Sequence, residues 1–352
     1  MFRSFWAFGF SAFISLAVAA DQPEVIRIGF ATIGLNGALV APLSPIATAQ
    51  HTGLIEDRFA AAGIRIEWNF YKGAGPAVNE ALANHQLDFA WQGDLPGIIG
   101  RANGLKTRLL LAQHQRANSY LVVPVDSPAT SLRDLVGKRV ALFKGTNLQL
   151  AVGKALTAEG LSERDFKSIN LESTAGLAAF SAKELDGLWG GLELQPLILG
   201  KQVKLVYSTQ GRSPTLTRQT DLLVTEEFAA RWPDAVQKLV DVLVEQALWE
   251  SAEEHRDALF KHWSDIGLPA AVFAAEFTGS RLKERQSPLL DPFFIGQYRD
   301  SARIAHELRL IRTPIEVDTW FEPRFLDEAL RRQGLEHFWT SYDGSGEPLA
   351  RR

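Results

Sequence analysis

Between residues 25 and 225 the chain alternates short apolar runs with amphipathic stretches, and glycine marks most of the junctions. Val25-Ile26-Arg27-Ile28-Gly29-Phe30, Ile64 to Phe70, Leu87 to Trp91 and Thr107 to Gln113 read as strands. The run from Ile64 to Phe70 has a period of two, the pattern of a half-buried strand. Pro42 to Gln50 and Leu54 to Ala62 read as helices. Two more open at Gly73-Ala74-Gly75-Pro76 and at Asp94-Leu95-Pro96. A second series follows. Tyr120–Val123, Arg139–Phe143, Ser168–Leu171, Gly187–Trp189 and Val203–Tyr207 read as strands, with helices at Leu148–Ala158 and Ala175–Lys183. Strand–helix alternation of this kind predicts open α/β sheets with helices on their faces.

The two series join near 114–120 and again near 209–220, and Asp221–Thr225 reads as a strand returning to the first unit. Two lobes with two crossings follow. Residues 21–116 and 213–340 are assigned to lobe 1, 117–212 to lobe 2, and the Gly-rich segment 341–352 to a mobile tail. After Glu226 the pattern is helical, about 227–262, 269–284, 292–312 and 323–334. A cleft between lobes is the default ligand site.

Residues 1–20 read as a secretory signal peptide, not as fold. Arg3 supplies the positive start, Phe5 to Val18 the apolar stretch, and Ala17-Val18-Ala19-Ala20 the small residues for cleavage. An exported protein of the periplasm is expected.

Composition narrows the chemistry. The chain has no cysteine, which excludes disulfides, cysteine–metal sites and thiol catalysis. A net charge of −4 argues against nucleic acid or an anionic membrane as the main partner. Gly137-Lys138 lacks the spacing of a phosphate-binding loop. Gly73-x-Gly75 lacks the third glycine of a dinucleotide fingerprint. The seven histidines are scattered without metal spacing, and Gly344-Ser345-Gly346 is no nucleophile elbow. No catalytic residue, cofactor or metal is expected, and the chain is expected to be a monomer.

Binding signals are stronger. Lys144-Gly145-Thr146-Asn147 joins a strand to a helix, where free backbone N–H groups and a positive dipole end suit an anion. Thr146 or Asn147 would equally serve as a helix cap. Trp91-Gln92-Gly93-Asp94, Trp189-Gly190-Gly191 and Gly34-Leu35-Asn36-Gly37 are three more strand-end loops. The ligand-binding candidates are therefore Gly34, Asn36, Gln92, Gly93, Asp94, Thr146, Asn147, Trp189 and Gly190. His114 is expected to line the cleft near the first crossing, and Arg212 to pair a ligand anion at the second.

Across about residues 24–225 the order of motifs resembles the periplasmic substrate-binding proteins of ABC importers for aliphatic sulfonates, taurine and nitrate. Its carriers are Ile26-Arg27-Ile28-Gly29-Phe30, Gly53-Leu54-Ile55-Glu56, Ala74-Gly75-Pro76 with Asn79-Glu80-Ala81-Leu82, and Leu87-Asp88-Phe89 before Gly93-Asp94-Leu95-Pro96. The most specific stretch is Ser131 to Ala141 followed by Lys144-Gly145-Thr146-Asn147. The resemblance implies a two-lobed periplasmic binding protein of type II, an α/β sheet sandwich in each lobe, with the ligand cleft between lobes. It implies a small anionic ligand, a sulfonate or sulfate ester, held near Gly93, Asp94, Thr146 and Asn147 and delivered to permease and ATPase subunits. Two stretches depart from the family pattern, Thr32-Ile33-Gly34-Leu35 and Trp189-Gly190-Gly191-Leu192-Glu193. Three rival readings remain at this point: a binder of nitrate or a pyrimidine precursor, an enzyme of pyrimidine-precursor synthesis on the same fold, and a sensory module without transport.

Overall fold

The structure, a computed structural model, describes residues 22–32, 34–35, 38–39, 43–265 and 267–350. The expected leader, residues 1–20, lies outside the described residues.

The chain starts with β1 (Val25–Phe30), a short pair β2 (Gly34–Leu35) and β3 (Ala38–Leu39), then α1 (Pro45–His51) and α2 (Leu54–Ala60). There follow β4 (Arg65–Phe70), α3 (Ala74–Ala83), β5 (Phe89–Gly93), α4 (Asp94–Ala102) and β6 (Thr107–Ala117). The second unit comprises β7 (Tyr120–Pro124), β8 (Arg139–Leu142), α5 (Asn147–Ala158), β9 (Lys167–Asn170), α6 (Ser173–Ser181), β10 (Gly187–Gly190), α7 (Gln195–Leu199) and β11 (Val203–Ser208). The chain returns through β12 (Arg218–Thr225). It ends in α8 (Glu226–Arg231), α9 (Pro233–Ser251), α10 (Arg256–Ser264), α11 (Ala270–Glu276), α12 (Leu282–Arg285), α13 (Pro292–Glu307) and α14 (Arg324–Gln333).

Two five-stranded sheets result, in the orders β4-β1-β5-β12-β6 and β11-β7-β10-β8-β9. Each is mostly parallel with one reversed strand. β12 runs antiparallel to β5 and β6 because it enters from the other lobe, and β7 runs antiparallel to β10 and β11. The crossings are the two residues between β6 and β7 and the segment between β11 and β12.

Side chains alternate across the first sheet. Phe89 and Trp91 of β5, with Leu222 and Val224 of β12, enter an apolar cluster with α1, α9 and α14. Ala90 and Leu223 enter the opposite cluster, under α4 and α13. This parity decides which residues at the strand ends face the cleft. The second sheet is packed by Leu148, Val152 and Leu156 of α5 on one face, and by Phe180 and Leu185 on the other.

The helical pattern after Glu226 is cut into more pieces than the sequence suggests. Pro233 starts a new helix directly after Trp232, and short connections separate α9 to α12. The Gly-rich end, expected to be mobile, is docked. Tyr342 is buried, its N–H donates to Asp291 Oδ2 at 2.8 Å, and its carbonyl accepts from Phe293 N at 3.0 Å.

Candidate binding site between the lobes

The two lobes present helix starts to each other. Gly93 ends β5 in extended backbone, and α4 begins at Asp94. Thr146 ends the turn after β8, and α5 begins at Asn147. Gly145 in that turn has φ +76°, a left-handed conformation that glycine adopts without strain. Asn147 lies directly on Gly93: a Cβ added there would sit 2.6 Å from the Asn147 side chain. Asn147 Nδ2 also donates to the Gln219 carbonyl at 3.3 Å. At these points the lobes are closed on each other.

Beside this contact lie buried donors without partners. Ser44 Oγ, Trp91 Nε1, Gln113 Nε2 and Arg218 Nε are each enclosed and make no hydrogen bond. Strand alternation puts Trp91 on the α1 face of the first sheet, and Arg218 starts β12, the strand that returns from lobe 2. Gln113 Oε1 accepts from Ile46 N at the start of α1 (2.9 Å), and Ser44 is the residue before that helix. Arg218 Nη2 donates to the Asn118 carbonyl at 2.6 Å, and its guanidinium lies on Gly191 of lobe 2, where a Cβ would come within 2.3 Å. No ion-pair partner holds Arg218 among the described residues. Native proteins pair the great majority of buried polar groups, so these four unpaired donors, before α1 and on β5, β6 and β12, make this the candidate place for a ligand. Three are N–H donors and the fourth is a hydroxyl, a set that suits acceptor oxygens.

The expected site residues sort differently. Gly93, Thr146 and Asn147 meet at the lobe boundary, and Gly191 faces Arg218. Thr146 Oγ1 donates to the Phe143 carbonyl at 2.7 Å, so its side chain stiffens the turn and does not cap the helix. Gln92 points to the other face of the sheet, where its Nε2 donates to Asn79 Oδ1 at 3.3 Å. The period of two that brings Trp91 to the site turns Gln92 away. The Asp94 carboxylate is buried, accepting from Leu95 N (2.7 Å) and Ser301 Oγ (3.0 Å). Burial pushes it up, and the nearby Lys154 ammonium pulls it back. An anion would meet its backbone, not its side chain.

His114 does not line the cleft. Its ring is enclosed by Arg285, Gln286 and Phe277, and burial, reinforced by Arg285, holds it neutral, well below its ordinary value. Arg212 is corrected as well. It lies half exposed over the Tyr207 ring and reaches Glu159 Oε1 at 3.5 Å, on the outside of lobe 2. The arginine at the boundary is Arg218, which lies six residues later on the returning strand. Trp189 packs into the lobe 2 core, edge-on to Tyr207 at 5.5 Å. Gly190 backs onto Leu194 and Glu193, where a Cβ would clash. Gly34 belongs to the β2–β3 pair, and Asn36 lies outside the described residues.

The NMT1/THI5-like family profile matches residues 44–254. This chain belongs to that family. A putative aliphatic sulfonates-binding protein of Bacillus subtilis is 30% identical over 249 residues, 70% of each chain. One from Escherichia coli is 27% identical over 319 residues, 86% of this chain and 90% of that one. The structure of a putative periplasmic sulfonate-binding protein, SsuA, from Methylobacillus flagellatus matches with a TM-score of 0.79 and 28% identity, covering 91% of this chain and 98% of that one. The two-lobed α/β fold of this NMT1/THI5-like protein is thus that of periplasmic binding proteins. A desulfurization enzyme, crystallised as a cysteine-to-serine mutant with biphenyl-2-sulfinic acid, shares the fold with a TM-score of 0.64 at 18% identity, covering 88% of this chain and 99% of that one.

Proposed function

We propose that this chain is an exported solute-binding protein that captures a small organic sulfonate between its lobes and presents it to an ABC importer. The observation that carries this reading is the set of buried, unpaired donors at Ser44, Trp91, Gln113 and Arg218, next to the helix starts at Gly93 and Asn147. A sulfonate is ionised at physiological pH and offers three acceptor oxygens. Hydrogen bonds to an ionised group contribute roughly 1.5–3 kcal/mol each, so a few of them suffice for micromolar binding. Backbone N–H groups at the helix starts and one guanidinium neutralise the charge without a strongly basic surface. The names of the relatives point to the same ligand class and to a periplasmic setting. No helix among the described residues is long and apolar enough to cross a membrane.

The role is binding and not turnover. The chain has no cysteine, whereas the desulfurization enzyme on this fold was crystallised with a cysteine replaced. Native mass spectrometry of the protein incubated with short alkanesulfonates and with an aryl sulfinate tests this. One molecule bound and recovered unchanged is expected. Recovery of a desulfinated product would overturn the reading.

A further inference from the structure

Helices α10 to α12 belong to neither sheet and lie against both lobes. Towards lobe 1, Trp263 Nε1 donates to Thr48 Oγ1 of α1 at 3.1 Å. Towards lobe 2, Leu192 shares an apolar cluster with Phe260, Trp263, Phe273 and Phe277, and α11 lies against α7. The polar centre of this unit is Glu276, fully buried. Its Oε1 accepts from Asn118 N (3.1 Å), Asn118 Nδ2 (3.0 Å) and Arg285 Nη2 (2.8 Å), and its Oε2 accepts from the Tyr120 hydroxyl (2.6 Å). Arg285 Nε donates to the Gln115 carbonyl at 2.8 Å. The first crossing is thereby gripped on both sides, at Gln115 before it and Tyr120 after it. The second crossing is tied to the same place. Gln210 Nε2 donates to the Ala275 carbonyl at 2.8 Å, and Thr209 Oγ1 accepts from Ser119 N at 2.9 Å and donates to Asn118 Oδ1 at 3.3 Å.

We propose that helices α10 to α12 clamp the hinge, with Glu276 as the positioning residue that sets the angle between the lobes before any ligand arrives. Lobe opening turns backbone torsions at the two crossings. Rotation of lobe 2 carries the Tyr120 hydroxyl away from Glu276 and leaves a buried carboxylate oxygen without its donor, which is unfavourable. The clamp therefore favours the closed angle and reduces the share of binding free energy spent on closure. This inference rests on the reading that the cleft between lobes is the binding site.

The test reads the angle without ligand. The cysteine-free chain accepts one spin label per lobe, at Glu80→Cys on α3 and Ala178→Cys on α6, both exposed. Pulsed electron resonance on the unliganded, doubly labelled protein is expected to give one short, narrow distance. Adding Tyr120→Phe, which removes only the hydroxyl, is expected to add a second, longer population. Glu276→Gln is expected to shift most molecules to it. Arg212→Ala, whose side chain meets Glu159 and the Tyr207 ring and not α10 to α12, is expected to leave the distance alone. Distances in Tyr120→Phe that superimpose on the parent would overturn the clamp, and that variant keeps the test open if Glu276→Gln does not fold. A longer population in Tyr120→Phe together with no sulfonate binding in the parent would support the clamp and reject the ligand.

Discussion

Gly93 of the first lobe and Asn147 of the second lie in direct contact, so close that a single added methyl group would sit 2.6 Å from the Asn147 side chain. The contact joins the helix starts of α4 and α5. It can form only when the lobes are closed and residue 93 carries no side chain.

Gly93→Ala should therefore hold the lobes slightly apart. Gly93 has φ −89°, which alanine adopts freely, so the cost falls on closure and not on the strand. Overpacking of this kind costs about 1–3 kcal/mol, equivalent to about 5- to 150-fold weaker ligand binding. Calorimetric titration of the variant checks this.

Arg218 and Arg212 separate by position. Arg218→Gln removes the guanidinium that lies on Gly191 at the lobe boundary and should weaken sulfonate binding about 10- to 100-fold. Arg212→Ala touches only Glu159 and the Tyr207 ring, outside the cleft, and should leave affinity unchanged. Equal losses in the two variants would place the anion elsewhere.

Lys154 reaches from lobe 2 into lobe 1. Its ammonium donates to Ser301 Oγ at 3.1 Å and Gln297 Oε1 at 3.3 Å, and its charge acts on buried Asp94. Lys154→Met removes the charge that holds the Asp94 carboxyl down against burial. Asp94 then carries its charge at high pH without the ammonium beside it, and is protonated at low pH. The affinity loss should be larger at pH 8 than at pH 5, and the double variant with Asp94→Asn should abolish that difference. Titrations at the two pH values test it.

Glu250 predicts a stability change away from the site. It is fully buried beside Gln246, with Oε2 unpaired, and burial pushes its carboxyl up to about 7. A carboxyl raised on folding contributes stability that is fully present below its ordinary value and is lost as pH rises through the folded value. Melting of the parent should weaken from pH 5 to pH 8 by roughly 1–3 kcal/mol relative to Glu250→Gln, which has no such titration.

Much of the fold was legible because it rests on local pattern. Period-two runs such as Ile64 to Phe70 and glycine-marked junctions such as Gly145 announce strands and helix starts without tertiary information. The return of the chain through Asp221–Thr225 was also readable, as an apolar run after the second series. Of the candidate site, only the backbone positions were legible. Gly93, Thr146 and Asn147 stand where strand-end logic puts them. Side-chain direction was not readable in the same way. Trp91 and Gln92 are neighbours on opposite faces, and only the sheet's partners show which face meets α1. Nothing in the sequence distinguishes Arg218 from Arg212, and the proposed role of Arg218 rests on its contact with Gly191, 27 positions earlier. Glu276 and Arg285 escaped because a buried ion pair in a helical region looks, in sequence, like any solvated helix surface.

Sulfonate capture between the lobes is tested most directly by thermal melting of the chain from Asp21 with short and long alkanesulfonates, zwitterionic taurine, aryl sulfates, nitrate, bicarbonate and a pyrimidine as the rival ligand. A ligand at 100 times its dissociation constant adds about 2.7 kcal/mol of stability, a plain rise in melting temperature. Sulfonates should give that rise, and Arg218→Gln should reduce it. A rise with nitrate or the pyrimidine and none with any organosulfur anion would contradict sulfonate capture.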